Sequence, residues 1–278
     1  MDTIALKVKL SPKKPWDEIL IAELADYGFD GFEETEDGFV AYGFENQVEI
    51  EKAQQETILQ GNDEVSVTFS KEIIPQKNWN QEWETHFEPV FVEDRLSILA
   101  PFHDLNLAKE INIIIHPKMS FGTGHHQTTW MMSKLLLEMK MMPKNILDMG
   151  TGTGVLAFLA EKLGAPKILG IDIEPWSIDS CNENKELNHS KNTTFQCGDI
   201  DLIEGLHFDM ILANINKNIL KNQIPFYSKA LSEKGLLLLS GFFETDVEDL
   251  KEFCKNYDLQ YDFHITKENW AAIQLHKI

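Results

Sequence analysis

The 278 residues exceed the usual length of one domain, so the starting expectation is two domains. The formal net charge of −20 would repel a phosphate backbone, which argues against direct binding of nucleic acid. The N-terminus has no signal region, and no apolar run reaches the roughly 18 uncharged residues needed to span a bilayer. These features predict a soluble cytoplasmic protein with no membrane partner.

The acidic residues are concentrated near the N-terminus. Residues 1–70 contain 16 acidic residues and five lysines, a net charge of −11. Such a field would attract a basic partner. A solvated acidic surface that only aids solubility is an equally good interpretation of this feature taken alone.

The same segment has the periodicity of a small α/β domain. Alternating apolar residues predict strands at 4–10 and 65–69, and helical spacing follows Pro15. Two aromatic-rich segments flank Asp37-Gly38, a common hairpin turn pair, and residues 45–60 are helix-prone. The order βαββαβ is the ferredoxin-like arrangement. Residues 1–70 are therefore predicted to form a ferredoxin-like domain, and because they hold no catalytic cluster we expect them to recognise a substrate.

Residues 71–115 are predicted to be a folded bridging segment. They include the aromatic residues Trp79 and Trp83 and lack the Gly and Ser enrichment of flexible linkers. The two tryptophans lie one helical turn apart and are candidates for packing between the domains, although ordinary core packing is the favoured interpretation. Short strands are expected at Leu96–Ala100 and Ile111–Ile115.

Residues 116–278 are predicted to form an α/β catalytic domain. From Asn145, apolar strand runs alternate with helical stretches, as expected for a sheet with helices on both faces. The last two runs have no long helix between them, which predicts a closing antiparallel hairpin. The predicted strands are Ile146–Met149, Ile168–Ile171, Thr193–Gln196, Met210–Ala213, Leu236–Ser240, Tyr261–Ile265 and Ala271–His276.

A glycine-rich loop follows the first of these strands. Gly150, Gly152 and Gly154 precede an amphipathic helix, and glycines there permit positive φ and allow backbone N–H groups to approach a ligand closely. A dinucleotide-binding fingerprint would need glycine where Val155 stands. The pattern is therefore GxGxG, and it favours a nucleoside cofactor over a pyrophosphate.

Acidic residues follow the next two strands. Asp172 ends the second strand, where a carboxylate can accept both ribose hydroxyls of an adenosine moiety, and Ile173 is placed to lie against the adenine. Asp199, after the third strand, is a candidate partner for the adenine amino group. A turn or N-cap residue is an equally good interpretation of Asp199.

Two further segments complete a recognisable set of motifs. Residues 121–129 read FGTGHHQTT, and LANI closes the fourth strand at Asn214. With LDMGTGTGVLA and GIDIEPW, in this order and at these separations, they closely resemble the PrmA family, the methyltransferases of large-subunit ribosomal protein eleven. The resemblance covers about residues 78–278, and FGTG with HxTT is much more specific than the glycine loop.

The resemblance implies a class I, Rossmann-like methyltransferase fold with an N-terminal substrate-binding domain. It implies S-adenosyl-L-methionine as the cofactor, bound by Thr129, Gly150, Asp172 and Asn214. The implied substrate is the basic ribosomal protein eleven, methylated on its N-terminal α-amine and on lysine ε-amines. The family resemblance also suggests a monomer.

The implied chemistry assigns a role to Asn214. Methyl transfer from a sulfonium to a neutral amine has an activated leaving group, so positioning and desolvation suffice and no metal is needed. Asn214 is predicted to orient the acceptor amine through its side-chain oxygen, with a strand-end turn residue as the alternative. His125 and His126 are more readily explained as residues that order their loop than as bases.

The sequence departs from the family pattern at two places. Thr151 stands where the glycine loop often has cysteine, and Asn216-Lys217-Asn218 replace small apolar residues after LANI. The first change should be harmless. The second lies near the expected acceptor pocket, so it bears on which amines are modified.

Three other functions are compatible with parts of the sequence. Enzymes that methylate glutamine amides or adenine amino groups use an Asn/Asp-Pro-Pro-aromatic motif, whereas Asn214 is followed by Ile215-Asn216. An NAD-dependent oxidoreductase is opposed by Val155. An acidic adaptor with a vestigial methyltransferase fold is opposed by the complete set of cofactor-site residues.

Overall fold

The structure is a computed structural model that describes residues 2–57, 59, 61–74, 84, 87–118 and 120–278. The chain divides into two units, residues 1–86 and 87–278. Trp79 and Trp83, for which packing between the domains was considered, lie outside the described residues.

The first unit is a four-stranded antiparallel sheet in the order β2-β3-β1-β4. This order, with two helices in a βαββαβ chain, confirms the predicted ferredoxin-like arrangement. Alternate residues of β1, including Leu6 and Val8, are buried against Leu20 and Leu24 of α1. The elements are β1 (Thr3–Ser11), α1 (Trp16–Asp26), β2 (Gly31–Thr35), β3 (Gly38–Phe44), α2 (Ile50–Gln55) and β4 (Ser66–Ile74).

Two local predictions in this unit need correction. The hairpin turn is Glu36-Asp37 rather than Asp37-Gly38, because Thr35 pairs with Gly38 in the sheet. A side chain at Gly38 would place its Cβ 1.9 Å from the Val8 carbonyl oxygen, so glycine serves close strand approach there. The predicted helix at 45–60 begins only at Ile50, because the preceding residues form turns and bond to other parts of the sheet domain.

The segment predicted as a bridge is divided between the two units. β4 extends to Ile74 in the first unit. A three-stranded sheet lies in the second unit and consists of β5 (Val90–Val92), β6 (Leu96–Leu99) and β7 (Ile111–Ile114). Ile98 and Ile113 share a hydrophobic core with Met131 of the catalytic domain. β4 continues past residue 70 because it pairs with β1 as far as Ile74, and β5 to β7 belong to the second unit because their apolar residues lie in its core.

The second unit is built on a seven-stranded sheet in the order β10-β9-β8-β11-β12-β14-β13. The first five strands are parallel, and β14 pairs antiparallel with both β12 and β13, which confirms the predicted closing hairpin. The strands are β8 (Asn145–Met149), β9 (Lys167–Asp172), β10 (Thr193–Cys197), β11 (Phe208–Asn214), β12 (Leu231–Phe243), β13 (Leu259–Lys267) and β14 (Trp270–Lys277). The helices are α3 (Gln127–Leu137), α4 (Val155–Lys162), α5 (Pro175–Leu187), α6 (Lys217–Ala230) and α7 (Val247–Lys255).

Both faces of the central sheet are covered. On β8, Ile146 faces a core shared with α3 and α4, whereas its neighbour Leu147 faces a core shared with α6 and α7. Strands buried on both faces read as continuous apolar runs, which is why the sequence marks them clearly. Within the described part of the chain, no helix combines the length and apolar character needed to cross a bilayer.

The strand order places a crevice at the carboxyl ends of the central strands. β8 lies between β9 and β11, so the chain reverses its direction of winding there. In open α/β sheets, ligands bind outside the carboxyl ends of the strands at such a switch point. Gly150, Asp172 and Asn214 stand at the carboxyl ends of β8, β9 and β11. The fold thus brings together residues that are far apart in the sequence.

Candidate active site

A cavity of about 650 Å³ lies at this switch point. Such a volume is within the range of about 300–1,000 Å³ that is typical of small-molecule and cofactor sites. Of the residues predicted from the sequence, Gly150, Gly152, Asp172, Ile173, Asp199 and Asn214 line it. The other two, Thr129 and Gly154, are buried and are not among the lining residues.

The glycine loop adopts the predicted left-handed backbone, with φ of 72° at Gly150, 56° at Gly152 and 83° at Gly154. Its amides, however, bond within the protein rather than pointing free at a ligand. The Gly150 N–H donates to the Ile171 carbonyl at 2.8 Å, and the Gly154 N–H donates within the loop at 2.9 Å. The Gly152 N–H donates to the Asp172 carboxylate at 2.9 Å. The loop therefore shapes the cavity instead of supplying the free N–H groups that the sequence suggested.

The FGTG segment packs directly on the glycine loop. The Phe121 carbonyl accepts the Thr153 N–H at 3.0 Å, and the Gly122 carbonyl accepts the Thr153 hydroxyl at 2.6 Å. A side chain at Gly152 would place its Cβ 2.2 Å from the Phe121 carbonyl oxygen. The two motifs form one packed unit, and the absence of a side chain at Gly152 is required by this contact.

The Asp172 carboxylate is fixed by two backbone donors. One oxygen accepts the Gly152 N–H at 2.9 Å, and the other accepts the Glu174 N–H at 3.1 Å. Each carboxylate oxygen can accept more than one hydrogen bond, so both retain capacity on the cavity side. Asp172 is thereby held as a fixed acceptor in the cavity wall.

The Asn214 side chain is anchored on one side and unsatisfied on the other. Its amide nitrogen donates to the Thr129 hydroxyl at 3.3 Å, and Thr129 is only 1% exposed in the first turn of α3. Its oxygen Oδ1 is buried and has no hydrogen-bond partner among the described residues. A buried carbonyl oxygen without a donor is costly, so this oxygen needs a partner from outside the described residues, such as water or a ligand. Thr129 therefore acts behind the wall by orienting Asn214.

Asp199 caps a turn and also lies in the cavity wall. Its side chain caps the 3₁₀ turn Ile200–Ile203 by accepting the Ile200 N–H at 2.7 Å. The same residue lines the cavity. The capping bond uses Oδ1, so the role of N-cap does not prevent the second oxygen from meeting a ligand.

These residues fit a nucleoside cofactor with a basic or cationic tail. The cavity offers a fixed carboxylate at Asp172, a second carboxylate at Asp199 and an unpaired acceptor at Asn214. Apolar side chains of Ile173 and Trp176, 58% and 56% exposed, supply a surface against which a base can lie. These acceptors suit the hydroxyl and amino donors of a nucleoside and would repel the oxygens of a pyrophosphate.

Comparison with known proteins decides the family. The family model described as ribosomal protein L11 methyltransferase (PrmA) matches residues 29–278. A relative from Porphyromonas gingivalis named ribosomal protein L11 methyltransferase is 39% identical over 262 residues, which cover 92% of this chain and 89% of the relative. The chain belongs to the PrmA family of ribosomal protein L11 methyltransferases.

More distant PrmA relatives and a solved structure agree with this assignment. A relative of the same name from Vibrio cholerae is 32% identical and covers 74% of this chain and 70% of its own length. The crystal structure of ribosomal protein L11 methylase from Lactobacillus delbrueckii subsp. bulgaricus aligns with a TM-score of 0.63 and 26% identity, over 69% of this chain and 100% of that chain. The enzyme is an S-adenosylmethionine-dependent methyltransferase of the class I fold, as the motifs implied.

The departures from the PrmA sequence pattern have local structural explanations. The Thr151 hydroxyl donates to the buried Asp148 carboxylate at 2.7 Å, so it fills a polar position behind the loop. Asn216 caps α6 by accepting the Ile219 N–H at 3.1 Å. Lys217 pairs with two aspartates, Asp246 and Asp249, at 2.7 Å and 2.8 Å. The side chains of Asn216 and Lys217 are thus engaged in holding α6, and neither residue lines the cavity.

One face of α6 supplies the part of the wall that the motifs did not reveal. Ile219, Asn222, Gln223 and Phe226 line the cavity at spacings of three and four residues. This is the spacing of one helical face. The signal was present as amphipathic periodicity, but it does not distinguish a face that covers a ligand from one that covers a core.

The two histidines of the FGTG segment have structural partners. His126 caps α3 and accepts the Thr128 N–H at 3.3 Å through Nδ1, and its ring packs against Phe121 and Trp270. Burial lowers the pKa of His126. Nε2 of His125 lies 2.8 Å from the Glu88 carbonyl oxygen. These contacts agree with the interpretation that both residues order the loop.

Glycine at position 152 can be tested with a matched substitution. Gly152→Ala would force the Phe121 carbonyl away from the loop, so we expect the affinity for S-adenosylhomocysteine to fall at least about tenfold. Gly205→Ala is the control, because Gly205 also has positive φ, 74°, but a Cβ there meets no atom within 4 Å. Calorimetric titration of both variants checks this. Equal affinities for the two variants would show that the contact between Gly152 and the Phe121 carbonyl does not shape the cofactor site.

Asp148 makes stability depend on pH. It is 1% exposed, and burial raises its pKa from 3.8 to about 7, opposed by the bond from Thr151 and assisted by Asp172. The folded protein keeps Asp148 protonated at pH values at which the unfolded chain ionises it. The contribution of Asp148 to the unfolding free energy is therefore complete below pH 3.8 and is lost as the pH rises to about 7. Between about pH 4.5 and about pH 7.5, wild type should lose on the order of 3 kcal/mol more of its unfolding free energy than Asp148→Asn.

Denaturant unfolding at several pH values measures this difference. Asp201→Asn, at an exposed position in the same unit, is the control and should follow wild type. Parallel pH profiles for wild type and Asp148→Asn would show that Asp148 does not carry the effect.

Proposed function

We propose that this enzyme transfers methyl groups from S-adenosylmethionine to amino groups of ribosomal protein L11, both the N-terminal α-amine and lysine ε-amines. Membership of the PrmA family and the names of its relatives support the substrate. The structural observation that carries the proposal is the buried, unpaired oxygen of Asn214 in the wall of the Asp172 cavity. An amine nucleophile has N–H groups that can satisfy this oxygen.

The chemistry requires little beyond positioning. When bound, S-adenosylmethionine supplies a methyl group on a sulfonium, which is already activated for in-line displacement. Asn214 Oδ1 accepts an N–H of the acceptor amine and turns its lone pair toward the methyl position. Thr129 holds Asn214 in that orientation through the bond to its amide nitrogen. Most of the rate enhancement then comes from alignment and exclusion of water.

The acceptor must lose a proton before it reacts. A lysine in water has a pKa of about 10.4 and is almost entirely charged at neutral pH. Removal from water disfavours the charged form, and Phe121, Ile215 and Phe226 give the cavity an apolar wall. Among the described residues, His126 has its Nδ1 engaged as a helix cap, so it is not assigned as the base.

The N-terminal domain is proposed to recruit the substrate. Residues 1–70 carry a net charge of −11, and several acidic side chains of this domain, such as Glu33 and Asp30, are exposed. Such a surface attracts a basic protein by long-range electrostatics. That the enzyme works in the cytoplasm, as a monomer and without direct contact to nucleic acid or membrane, stays a prediction.

The alternative functions are less well supported. Asn214 is followed by Ile215 and Asn216 and not by two prolines, which disfavours an amide or adenine methyltransferase. A vestigial adaptor would not need one cavity lined by both a fixed Asp172 and an Asn214 whose buried oxygen is unpaired.

A methyl-transfer assay tests the proposal. The full chain would be incubated with radiolabelled S-adenosylmethionine and purified ribosomal proteins, and intact mass and peptide mapping would locate the label. We expect label on amines of L11 and not on an acidic ribosomal protein used as control. Cofactor binding without transfer to L11 would instead support the adaptor.

Asn214→Ala separates orientation from cofactor binding. Loss of the orienting oxygen should reduce turnover about 100-fold while the affinity for S-adenosylhomocysteine changes by less than about fivefold. Asn218→Ala, an exposed asparagine four residues later that does not line the cavity, is the control and should retain wild-type turnover. Wild-type turnover by Asn214→Ala with unchanged cofactor affinity would rule out the orienting role.

A further inference from the structure

A chain of buried hydrogen bonds runs from Tyr227, on the buried face of α6, to Asp199 in the cavity wall. The Tyr227 hydroxyl donates to the Gln223 side-chain oxygen. The Gln223 amide nitrogen donates in turn to Asp199 Oδ1 at 3.0 Å. Tyr227 is fully buried and Gln223 is 7% exposed, so bulk water does not compete for these bonds. Gln223 and Tyr227 lie four residues apart on one face of the helix, where side chains are neighbours.

The direction of the chain is fixed at both ends. Burial raises the pKa of Tyr227 well above its ordinary value, and Asp199 and Asp148 add to the rise, so the hydroxyl stays protonated and donates. A carboxylate only accepts hydrogen bonds. The Gln223 side chain therefore has to turn its oxygen to Tyr227 and its nitrogen to Asp199. The opposite orientation would place the Gln223 oxygen against the Asp199 carboxylate, where neither group can donate.

This arrangement leaves one oxygen of Asp199 for a ligand. Oδ1 accepts two hydrogen bonds, from the Ile200 N–H at 2.7 Å and from Gln223 at 3.0 Å. Oδ2 accepts none from the described residues, and Asp199 lines the cavity. Because two donors hold Oδ1, the carboxylate cannot rotate freely, and Oδ2 presents a fixed acceptor to whatever lies in the cavity.

We propose that Gln223 and Tyr227 are positioning residues that make Asp199 select an amino-purine over a keto-purine cofactor. The proposal rests on the proposed function, in which the cavity holds an adenosyl group. An exocyclic amino group donates to Oδ2, whereas a keto oxygen in the same place meets a second acceptor. Sites built to bond a donor reject analogues that lack it, because the buried group is then left unpaired. Tyr227 does not line the cavity, so it acts only through Gln223 and Asp199, whereas Gln223 both bonds to Asp199 and forms part of the cavity wall.

Competitive calorimetry with two nucleosides tests the proposal. Wild type should bind S-adenosylhomocysteine about 10- to 100-fold more tightly than S-inosylhomocysteine, the range expected for one charge-assisted hydrogen bond. Tyr227→Phe keeps the buried ring and Gln223→Met keeps the side-chain length. In each variant we expect this preference to shrink about 3- to 10-fold, mainly through weaker binding of the adenosyl compound.

A double variant distinguishes a relay from two independent effects. If Tyr227 acts through Gln223, Tyr227→Phe should change the preference no further once Gln223→Met is present. Ser228→Ala is the matched control, because Ser228 is a buried residue of the same helix that bonds to the Tyr257 carbonyl at 2.6 Å and not to Asp199. It should lower stability without altering the preference.

The possible failures are distinguishable. If wild type binds neither compound, the proposed function fails. If Asp199→Ala loses the preference but Gln223→Met and Tyr227→Phe keep the wild-type ratio, Asp199 reads the purine without help and the positioning role is overturned. If Asp199→Ala also keeps the ratio, the purine is not read at Asp199 and the inference is overturned while the function stands.

Discussion

The Asp172 carboxylate joins the ends of two neighbouring strands. It accepts the N–H of Gly152, in the loop after β8, and the N–H of Glu174, at the start of α5. Because the Phe121 carbonyl oxygen lies where a Gly152 side chain would be, the loop cannot accept a larger residue at this position without shifting. The floor of the cavity, the aim of the carboxylate and the position of the FGTG segment all depend on this arrangement.

Three aspartates place negative charge around the site, one behind the glycine loop and two in the cavity wall. Asp148 is fully buried behind the glycine loop, and its pKa is raised to about 7, so it carries only part of a charge near neutral pH. Asp172 and Asp199 lie in the cavity wall and meet donors from the backbone and from Gln223. This negative charge favours the binding of a sulfonium cation. The apolar wall and the neutral oxygen of Asn214 suit the uncharged amine that must approach it.

Helix α6 carries both a wall of the cavity and residues that differ from the family pattern. Its start is fixed by Asn216 as cap and by the pairing of Lys217 with Asp246 and Asp249. Its inner face closes the cavity, and its buried Gln223 reaches Asp199. Residues that differ from the family pattern thus stabilise the helix that forms the cavity wall, and they do so without entering the cavity.

The sequence alone determined the elements with strong local signals. Period-two alternation in β1, the continuous apolar run in β11 and the glycine loop each reflect backbone preferences within a few residues, so strand positions and the positive φ at Gly150 were predictable. The motif set also singled out Asp172 and Asn214, which the structure places in the wall of one cavity. Where the sequence failed, a local preference was overridden, as at residues 45–49, where turn hydrogen bonds replaced the expected helix.

Only the tertiary structure decided which groups meet across long sequence separations. Nothing in the sequence near Thr129 reveals that its hydroxyl anchors Asn214, 85 residues away. Likewise, the periodicity of α6 shows a buried face but not that Gln223 reaches Asp199 rather than the core. The sequence predicted β6 and β7 but not β5, and the place of all three strands in the second unit depended on the core available to them. Such contacts depend on packing between distant segments, which local sequence patterns do not encode.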